Sequence, residues 1–274
     1  MALLALLISL VQLVLMVGLG YTYALILASA RKVDFPPAGA PNAQRRDFAA
    51  LVPAHNEAAV IGQTVSGLRA MNYPAERYEV VVVADHCSDQ TAALARAAGA
   101  RVYERKTGPA GSKGEALAWL LEQLKAEARP ADAYLIFDAD SQADAEFANI
   151  MDRALASRAL LIQGRYEIAD PARTFFNRLA DVDMRLNNRL RNAAKQNLGL
   201  SGRLMGDGMC LAAELLQRHP WRAGSLVEDQ ELGIRLLLQG QRVAYAPTAV
   251  SRGQAAGAWR SAGLQRGRWA GGVR

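Results

Sequence analysis

Cysteine is scarce. Cys87 and Cys210 are the only two in 274 residues. They stand far apart without the paired spacing of zinc ligands, so neither a zinc site nor a disulfide framework is expected. A reducing compartment is the simpler setting. No internal repeat is present, and the composition suggests neither disorder nor a fibrous repeat. Excess charge is also lacking. The formal net charge is +6, spread along the chain. That gives no footprint for nucleic acid, and none is expected as a partner. The basic clusters that do occur lie beside the apolar N-terminus and at the C-terminus, which suits an anionic membrane surface.

The first thirty residues lack charge altogether. Spanning a bilayer takes roughly 20 apolar residues, so the run from Met1 to Ala30 is long enough to cross with tilt. The competing reading is a secretory signal, since Ala28-Ser29-Ala30 resembles a cleavage site. No basic residue precedes the run, however, and it far exceeds the roughly 7–15 residues of a signal's apolar core. A transmembrane anchor over 1–30 is therefore expected. Arg31, Lys32, Arg45 and Arg46 follow it. The positive-inside rule then places the remainder on the cytoplasmic side of the cell membrane. Residues 31–46 read as a basic, Pro-rich linker.

From residue 48 apolar strands alternate with helical patterns. Strands are expected at 48–54, 79–84, 101–104, 133–137 and 159–166, and helices at about 57–71, 89–98, 113–128 and 145–156. Ser112 stands three residues before Glu115, the spacing of a helix start. This alternation predicts an α/β fold with a mostly parallel sheet covered on both faces. Ligands of such sheets sit beyond the carboxyl ends of the strands. Acids collect there. The first strand runs into His55-Asn56-Glu57, the second into Asp85, His86 and Asp89, and the fourth into Asp138-Ala139-Asp140. Carboxylates that converge need cations or donors, and oxygen-only ligands favour Mg²⁺ or Mn²⁺. Asp138 and Asp140 are thus expected to share a metal that holds a diphosphate. Helix capping is the competing role for that pair and for Asp89, and a structural role is expected for His55 and His86. The Gly-rich approach to Lys113 suits phosphate at a helix N-terminus. It lacks the Lys-[Ser/Thr] ending of a P-loop, so an ATPase is not expected.

After residue 170 the pattern changes. Residues 172–198 read as one or two helices rich in Arg and Asn. In "LMGDGMCL" (204–211), Gly206 and Gly208 flank Asp207. Small residues there permit close backbone approach to a ligand, and an ordinary turn before a strand is the alternative. Glu228-Asp229 opens a helix with an apolar face at Leu232, Leu236 and Leu237. Near the end, Gln265, Arg266, Arg268 and Trp269 combine fork donors with an aromatic plate.

In order, PAHNE, VVVADHCSDQT, GSKGEAL, FDAD, GDGM, VEDQELGIRL and QRGRW resemble the membrane-bound glycosyltransferases of family 2, the group of cellulose, hyaluronan and chitin synthases and ceramide glucosyltransferase. The resemblance covers about residues 48–269. It implies the GT-A fold, a mixed α/β sheet over 47–252, with a membrane-interface segment at 253–274. It implies an inverting transfer from a nucleotide-diphosphate sugar, most often UDP-linked, to a glycan, with a lipid acceptor as the alternative. By resemblance Asp85 contacts the uracil or ribose region, and Pro53, His55 and Glu57 line the nucleotide pocket. Asp138 and Asp140 hold the diphosphate through Mg²⁺ or Mn²⁺. Asp229, beside Glu228, is the general base. Gln265, Arg266, Arg268 and Trp269 close over diphosphate and acceptor.

Three features depart from the pattern. Val227 stands where Thr often precedes Glu-Asp. Asp207 occupies a loop that usually presents uncharged residues to the acceptor, so it is expected on the acceptor side. The chain ends five residues after Trp269, where such synthases continue into channel helices, so polymer translocation by this chain alone is not expected. An inactive scaffold predicts broken motifs, and these are intact. A nucleotidyltransferase would share the metal-held phosphates but would not need the late Glu-Asp or QRGRW.

Overall fold

The structure is a computed structural model that describes residues 2–36, 45–108, 112–127, 130–222 and 227–255. The uncharged N-terminus forms one helix, α1 (Ala2–Ser29), long and apolar enough to cross a membrane. Its last turn meets the rest of the chain. Leu25 and Ala28 bury against Ala194, and Asn197 Nδ2 donates to the carbonyls of Ala28 and Arg31, each at 3.0 Å.

The remaining elements run β1 (Phe48–Ala54), α2 (Ile61–Arg69), β2 (Tyr78–Asp85), α3 (Thr91–Ala97), β3 (Arg101–Arg105), α4 (Lys113–Lys125), β4 (Ala133–Ile136), β5 (Gln142–Ala143), α5 (Phe147–Ala156), β6 (Leu161–Ile168), α6 (Phe175–Leu186), a π-helical stretch (Asn187–Ala193), α7 (Ala194–Asn197), β7 (Met209–Ala212), α8 (Ala213–Arg218), α9 (Glu228–Leu238) and β8 (Ala244–Gly253). Among the described residues eight strands form one sheet in the order β3-β2-β1-β4-β7-β6-β8-β5. The first four are parallel. β7 is antiparallel to both β4 and β6, β8 runs parallel to β6, and β5 is antiparallel to β8. The sheet is therefore mixed, as the resemblance implies.

Continuous apolar runs form the parallel half because both faces are covered. Val80 to Ala84 and Phe48 to Val52 are buried, with Ile61, Val65 and Leu68 of α2 and Leu117, Leu120 and Leu124 of α4 in the same core. Ser112 caps α4 by accepting from the Glu115 amide, as its spacing predicts. β5 and β8 are absent from the sequence expectation. β5 is two residues long, and β8 contains Pro247 and a register shift opposite Gly164/Arg165, which breaks any alternation. Leu237, expected on the buried face of α9, is half exposed, whereas Leu232 and Leu236 are buried. Arg45 and Arg46, read as linker cations, instead dock on α5. Arg46 Nη1 lies 2.7 Å from Asp152 Oδ1, and Arg45 pairs with Asn149.

Gly164 marks a close backbone crossing in the second half-sheet. A Cβ there would lie 2.7 Å from the Ala249 carbonyl and 2.9 Å from that of Gly208. Both are backbone, so neither can swing aside. Gly164→Ala is expected to destabilise the fold by about 1–3 kcal/mol through overpacking. Denaturant melts of the detergent-solubilised protein check this, and an unchanged midpoint would contradict it.

Candidate active site

Four segments meet at the carboxyl edge of the parallel strands. β4 ends at Ile136, and Phe137 to Ser141 turn across the edge. Thr64 Oγ1 holds that turn from α2 by donating to the Ala139 carbonyl at 2.7 Å. Asp138 and Asp140 project from it. Asp140 accepts from the Gln254 amide at 3.2 Å. Burial, then the Asp138 charge, holds its carboxyl above the usual range. Glu57 is raised as well, by burial first and then by Asp140, Asp138 and Asp89. Three carboxylates expected from two different strand ends therefore do face one another.

Lys113 answers them. Its Nζ pairs with Asp138 and donates to the Gly206 carbonyl at 2.6 Å. Burial alone would lower its pKa, but the charges of Asp138, Asp207 and Glu228 outweigh that and hold the ammonium above its ordinary value. Gly206, at φ +82°, sits between Lys113 and Asp229. A Cβ there would stand 3.6 Å from Asp229 Oδ2 and 3.8 Å from Lys113 Nζ. Positive φ suits glycine, and its missing side chain keeps this gap open. Asp229 is buried in the first turn of α9. Burial raises its pKa, opposed by the Gln230 amide and by Lys113 and Arg203. Glu228 packs on α4, where a Cβ on Gly114 would come within 2.8 Å of its Cγ.

Asp207 is a correction. It was expected on the acceptor side, yet it is 1% exposed and lies beneath the turn it supports. Its Oδ1 accepts from the Asp138 amide at 2.8 Å and from Ser141 Oγ, and its Oδ2 accepts from Ser251 Oγ at 2.6 Å. Burial first, then Asp138, pushes its pKa up to about 6. With its oxygens so engaged, it holds the backbone of Asp138 and the side chains of Ser141 and Ser251.

Asp85 is buried and its Oδ1 receives Arg105 Nη1 at 2.7 Å and His86 Nδ1 at 2.8 Å. His86 Nε2 reaches the Gly108 carbonyl at 3.0 Å, and His55 Nδ1 lies 2.7 Å from the Asp85 carbonyl. Both imidazoles brace the loops beside Asp85. Asp89 stands at the start of α3 and accepts from the Thr91 amide at 2.9 Å, the capping alternative. Pro53 stands in β1, one residue before its end. Gln265, Arg266, Arg268 and Trp269 lie outside the described residues. Arg105, Thr64, Ser141 and Ser251 were missed. Each acts through a partner distant in sequence, so no local pattern announces it.

A divalent cation fits Asp138 and Asp140. The donors are all hard oxygens, and crowding of like charge is what a cation relieves. Among the described residues no three His, Cys, Asp or Glu side chains form a self-sufficient metal site. Mg²⁺ and Mn²⁺ commonly take one or two protein carboxylates and complete their shell with phosphate oxygens and water.

A parallel half-sheet joined to a mixed half, with helices packed on it, is the GT-A fold of nucleotide-diphospho-sugar transferases. The family model described as glycosyltransferase like family 2 matches residues 45–272, and the chain belongs to that family. It is 25% identical over 227 residues to a probable glycosyltransferase, YdaM, of Bacillus subtilis (strain 168), covering 80% of this chain and 53% of that protein. It is 30% identical over 200 residues to a beta-monoglucosyldiacylglycerol synthase of Synechocystis sp. (strain ATCC 27184 / PCC 6803 / Kazusa), covering 70% of this chain and 40% of that one. The chain thus spans about half the length of these relatives or less. Among solved structures, a mannosyltransferase of Pyrobaculum calidifontis in complex with GDP-Man and Mn²⁺ superposes with a TM-score of 0.73 at 20% identity. It covers 93% of this chain and 69% of that one. At that identity the likeness shows the fold.

Asp207→Ala strands two buried serine hydroxyls and the Asp138 amide, and is expected to cost about 2–4 kcal/mol of stability. Asp207→Asn keeps most of the bonds and should recover most of the loss. The pKa of Asp207 is higher folded than unfolded, so in metal-free buffer stability falls as pH rises from about 4 to about 6. Asp207→Asn should flatten that slope. Thermal melts across this window read both effects, and a slope unchanged in the variant would contradict the assignment.

Proposed function

We propose that the chain transfers a sugar from a nucleoside-diphosphate donor, a UDP-sugar by family resemblance, to a lipid hydroxyl at a membrane, with inversion at the anomeric carbon. The observation that carries the reading is the pairing of two groups across Gly206. On one side are Glu57, Asp138, Asp140 and Lys113, suited to a diphosphate; on the other is the buried carboxylate of Asp229.

Asp85, with Pro53 and His55 nearby, faces the nucleoside in this reading, and Arg105 and His86 fix its carboxylate. Asp138 and Asp140 would hold Mg²⁺ or Mn²⁺, which would neutralise the diphosphate as it departs. Lys113 adds a fixed positive charge on the same side. Asp229 takes the proton of the acceptor hydroxyl. The freed oxygen pair attacks the anomeric carbon opposite the leaving group, and the bond to the β-phosphate oxygen breaks with its electrons on the nucleoside diphosphate. Burial favours Asp229 as a base, because a raised pKa gives the proton a stronger acceptor. Glu228 seats that helix turn against Gly114. Gln265, Arg266, Arg268 and Trp269 are assigned to the diphosphate and acceptor by family resemblance.

The sequence favours a glycan acceptor first. A lipid is preferred here because a 30%-identical relative is named a glucosyldiacylglycerol synthase and because α1 is suited to a bilayer. With α1 spanning, the transferase domain lies on the cytoplasmic side, where Arg31 and Lys32 follow the helix.

The test is release of UDP by the solubilised protein with Mn²⁺ or Mg²⁺ across a panel of UDP-sugars, with and without diacylglycerol. One sugar is expected to turn over, with an extractable glycolipid as product and loss of activity on chelation. A water-soluble glycan product would instead support the glycan acceptor. Asp229→Asn should lower kcat by roughly 10²–10⁴-fold, the usual worth of a general base. Activity should fall as pH drops through the Asp229 pKa, placing the acidic limb above the ordinary 3.8. Absence of UDP binding in a well-folded sample would sink the donor assignment.

A further inference from the structure

Helix α6 leaves a stripe of apolar side chains uncovered. A helix of a water-soluble domain buries its apolar stripe and exposes its polar face. Here Phe175, Leu179, Val182 and Leu186 follow the i, i+4, i+7, i+11 pattern of one continuous stripe, and they are 65%, 42%, 52% and 52% exposed. The face turned inward carries Asn177, 4% exposed, whose Nδ2 donates to the Asp170 carbonyl at 2.7 Å. Just beyond the helix, Asn188 Nδ2 donates to the Tyr166 carbonyl at 2.7 Å. Asn177 thus ties α6 to the loop after β6 and Asn188 ties the next turn of chain to β6, with Phe176, Ala180 and Met184 half-buried, and the stripe stays uncovered among the described residues.

We propose that this stripe is a second membrane contact, with α6 lying along the bilayer surface and its apolar residues in the acyl boundary. Continuity with α1 selects lipid as the occupant. The π-helical stretch and α7 lead from α6 to Asn197, which grips the last turn of α1 at Ala28 and Arg31. At 1.5 Å per residue, Leu186 lies only about 16 Å along this path from that junction. Leu198 and Leu200, both nearly half exposed, extend the apolar surface beside it. Charge agrees. Residues 175–197 carry five basic side chains, Arg178, Arg185, Arg189, Arg191 and Lys195, against Asp181 and Asp183. Asp181 is already paired with Arg185 at 2.7 Å. On a helical wheel of α6, Arg178 and Arg185 fall on one flank of the stripe, where lipid phosphates would lie.

The inference rests on α1 crossing the bilayer and is independent of the sugar chemistry. Its test uses the full chain in nanodiscs of three parts phosphatidylcholine to one part phosphatidylglycerol. Nitroxides are placed singly by Val182→Cys, by Val11→Cys within α1 and by Glu122→Cys on exposed α4, with the unsubstituted chain as the blank for Cys87. Collisional accessibility to oxygen and to a water-soluble nickel chelate is then measured. The ratio of oxygen to nickel accessibility at Val182 should approach that at Val11 and exceed that at Glu122 by roughly threefold or more. A ratio at Val182 equal to that at Glu122, with Val11 in lipid, overturns the proposal and leaves the anchor standing. Shielding of Val182 from both reagents also overturns it: dipolar broadening would then identify a second copy as the cover, and its absence another part of the chain. A water-like ratio at Val11 removes the anchor and this inference together, without touching the donor assignment.

Discussion

Like-charge repulsion at the end of β4 is the constraint around which the site is arranged. Glu57, Asp138, Asp140 and Asp207 approach one another closely enough to raise the pKa of three of them, with burial the larger cause in each. Such a cluster persists only where donors and cations are fixed around it. Lys113 reaches in from the first turn of α4, and the Asp138 amide, Ser141 and Ser251 all donate to Asp207. The sheet order makes those donors available. β7 must lie next to β4 for Asp207 to pass beneath Asp138, and β8 must cross β6 for Ser251 to reach it.

The glycines follow from the same requirement. Gly208, at φ +61°, faces Ser251, and a Cβ there would meet its Oγ at 2.4 Å. Gly206 opens the gap between Lys113 and Asp229. The second half of the sheet therefore spends its small residues where the carboxylate network and the reaction space need clearance. Ordinary apolar packing in the parallel half supplies the rigidity. A site on strand ends inherits that rigidity, which suits a reaction dependent on placing a base and a leaving group in line.

Legibility in the sequence divides along the same boundary. β1 to β4 and the helices between them are readable because buried parallel strands form unbroken apolar runs and their crossovers carry helical periodicity. The acids at their ends are readable for the same reason, since a charge after an apolar run is conspicuous. Asp207 is visible as a residue, but its role is not. Whether a carboxylate between two glycines points to solvent or inward depends on Ser141 and Ser251, which lie 66 and 44 residues away. Arg105 is hidden likewise, because its pairing with Asp85 arises from β2 lying beside β3. β8 fails the strand pattern because Pro247 and the register shift interrupt it.

The uncovered stripe of α6 lies on the stretch of chain that joins β6 to the contact with α1. β6 carries Tyr166, whose carbonyl receives Asn188 and whose hydroxyl lies against Gly253 at the end of β8. Burial, and then the charges of Asp207, Asp138 and Asp140, raise its pKa well above the ordinary value. One short path of chain and contacts therefore runs from α6 through Asn188 to Tyr166. A single spanning helix fixes a domain's distance from the membrane but leaves it free to turn about the helix axis. A second contact removes that freedom. With both in the bilayer, the site would hold one orientation towards the surface, as a reaction with a membrane-embedded hydroxyl requires and one with a soluble glycan does not.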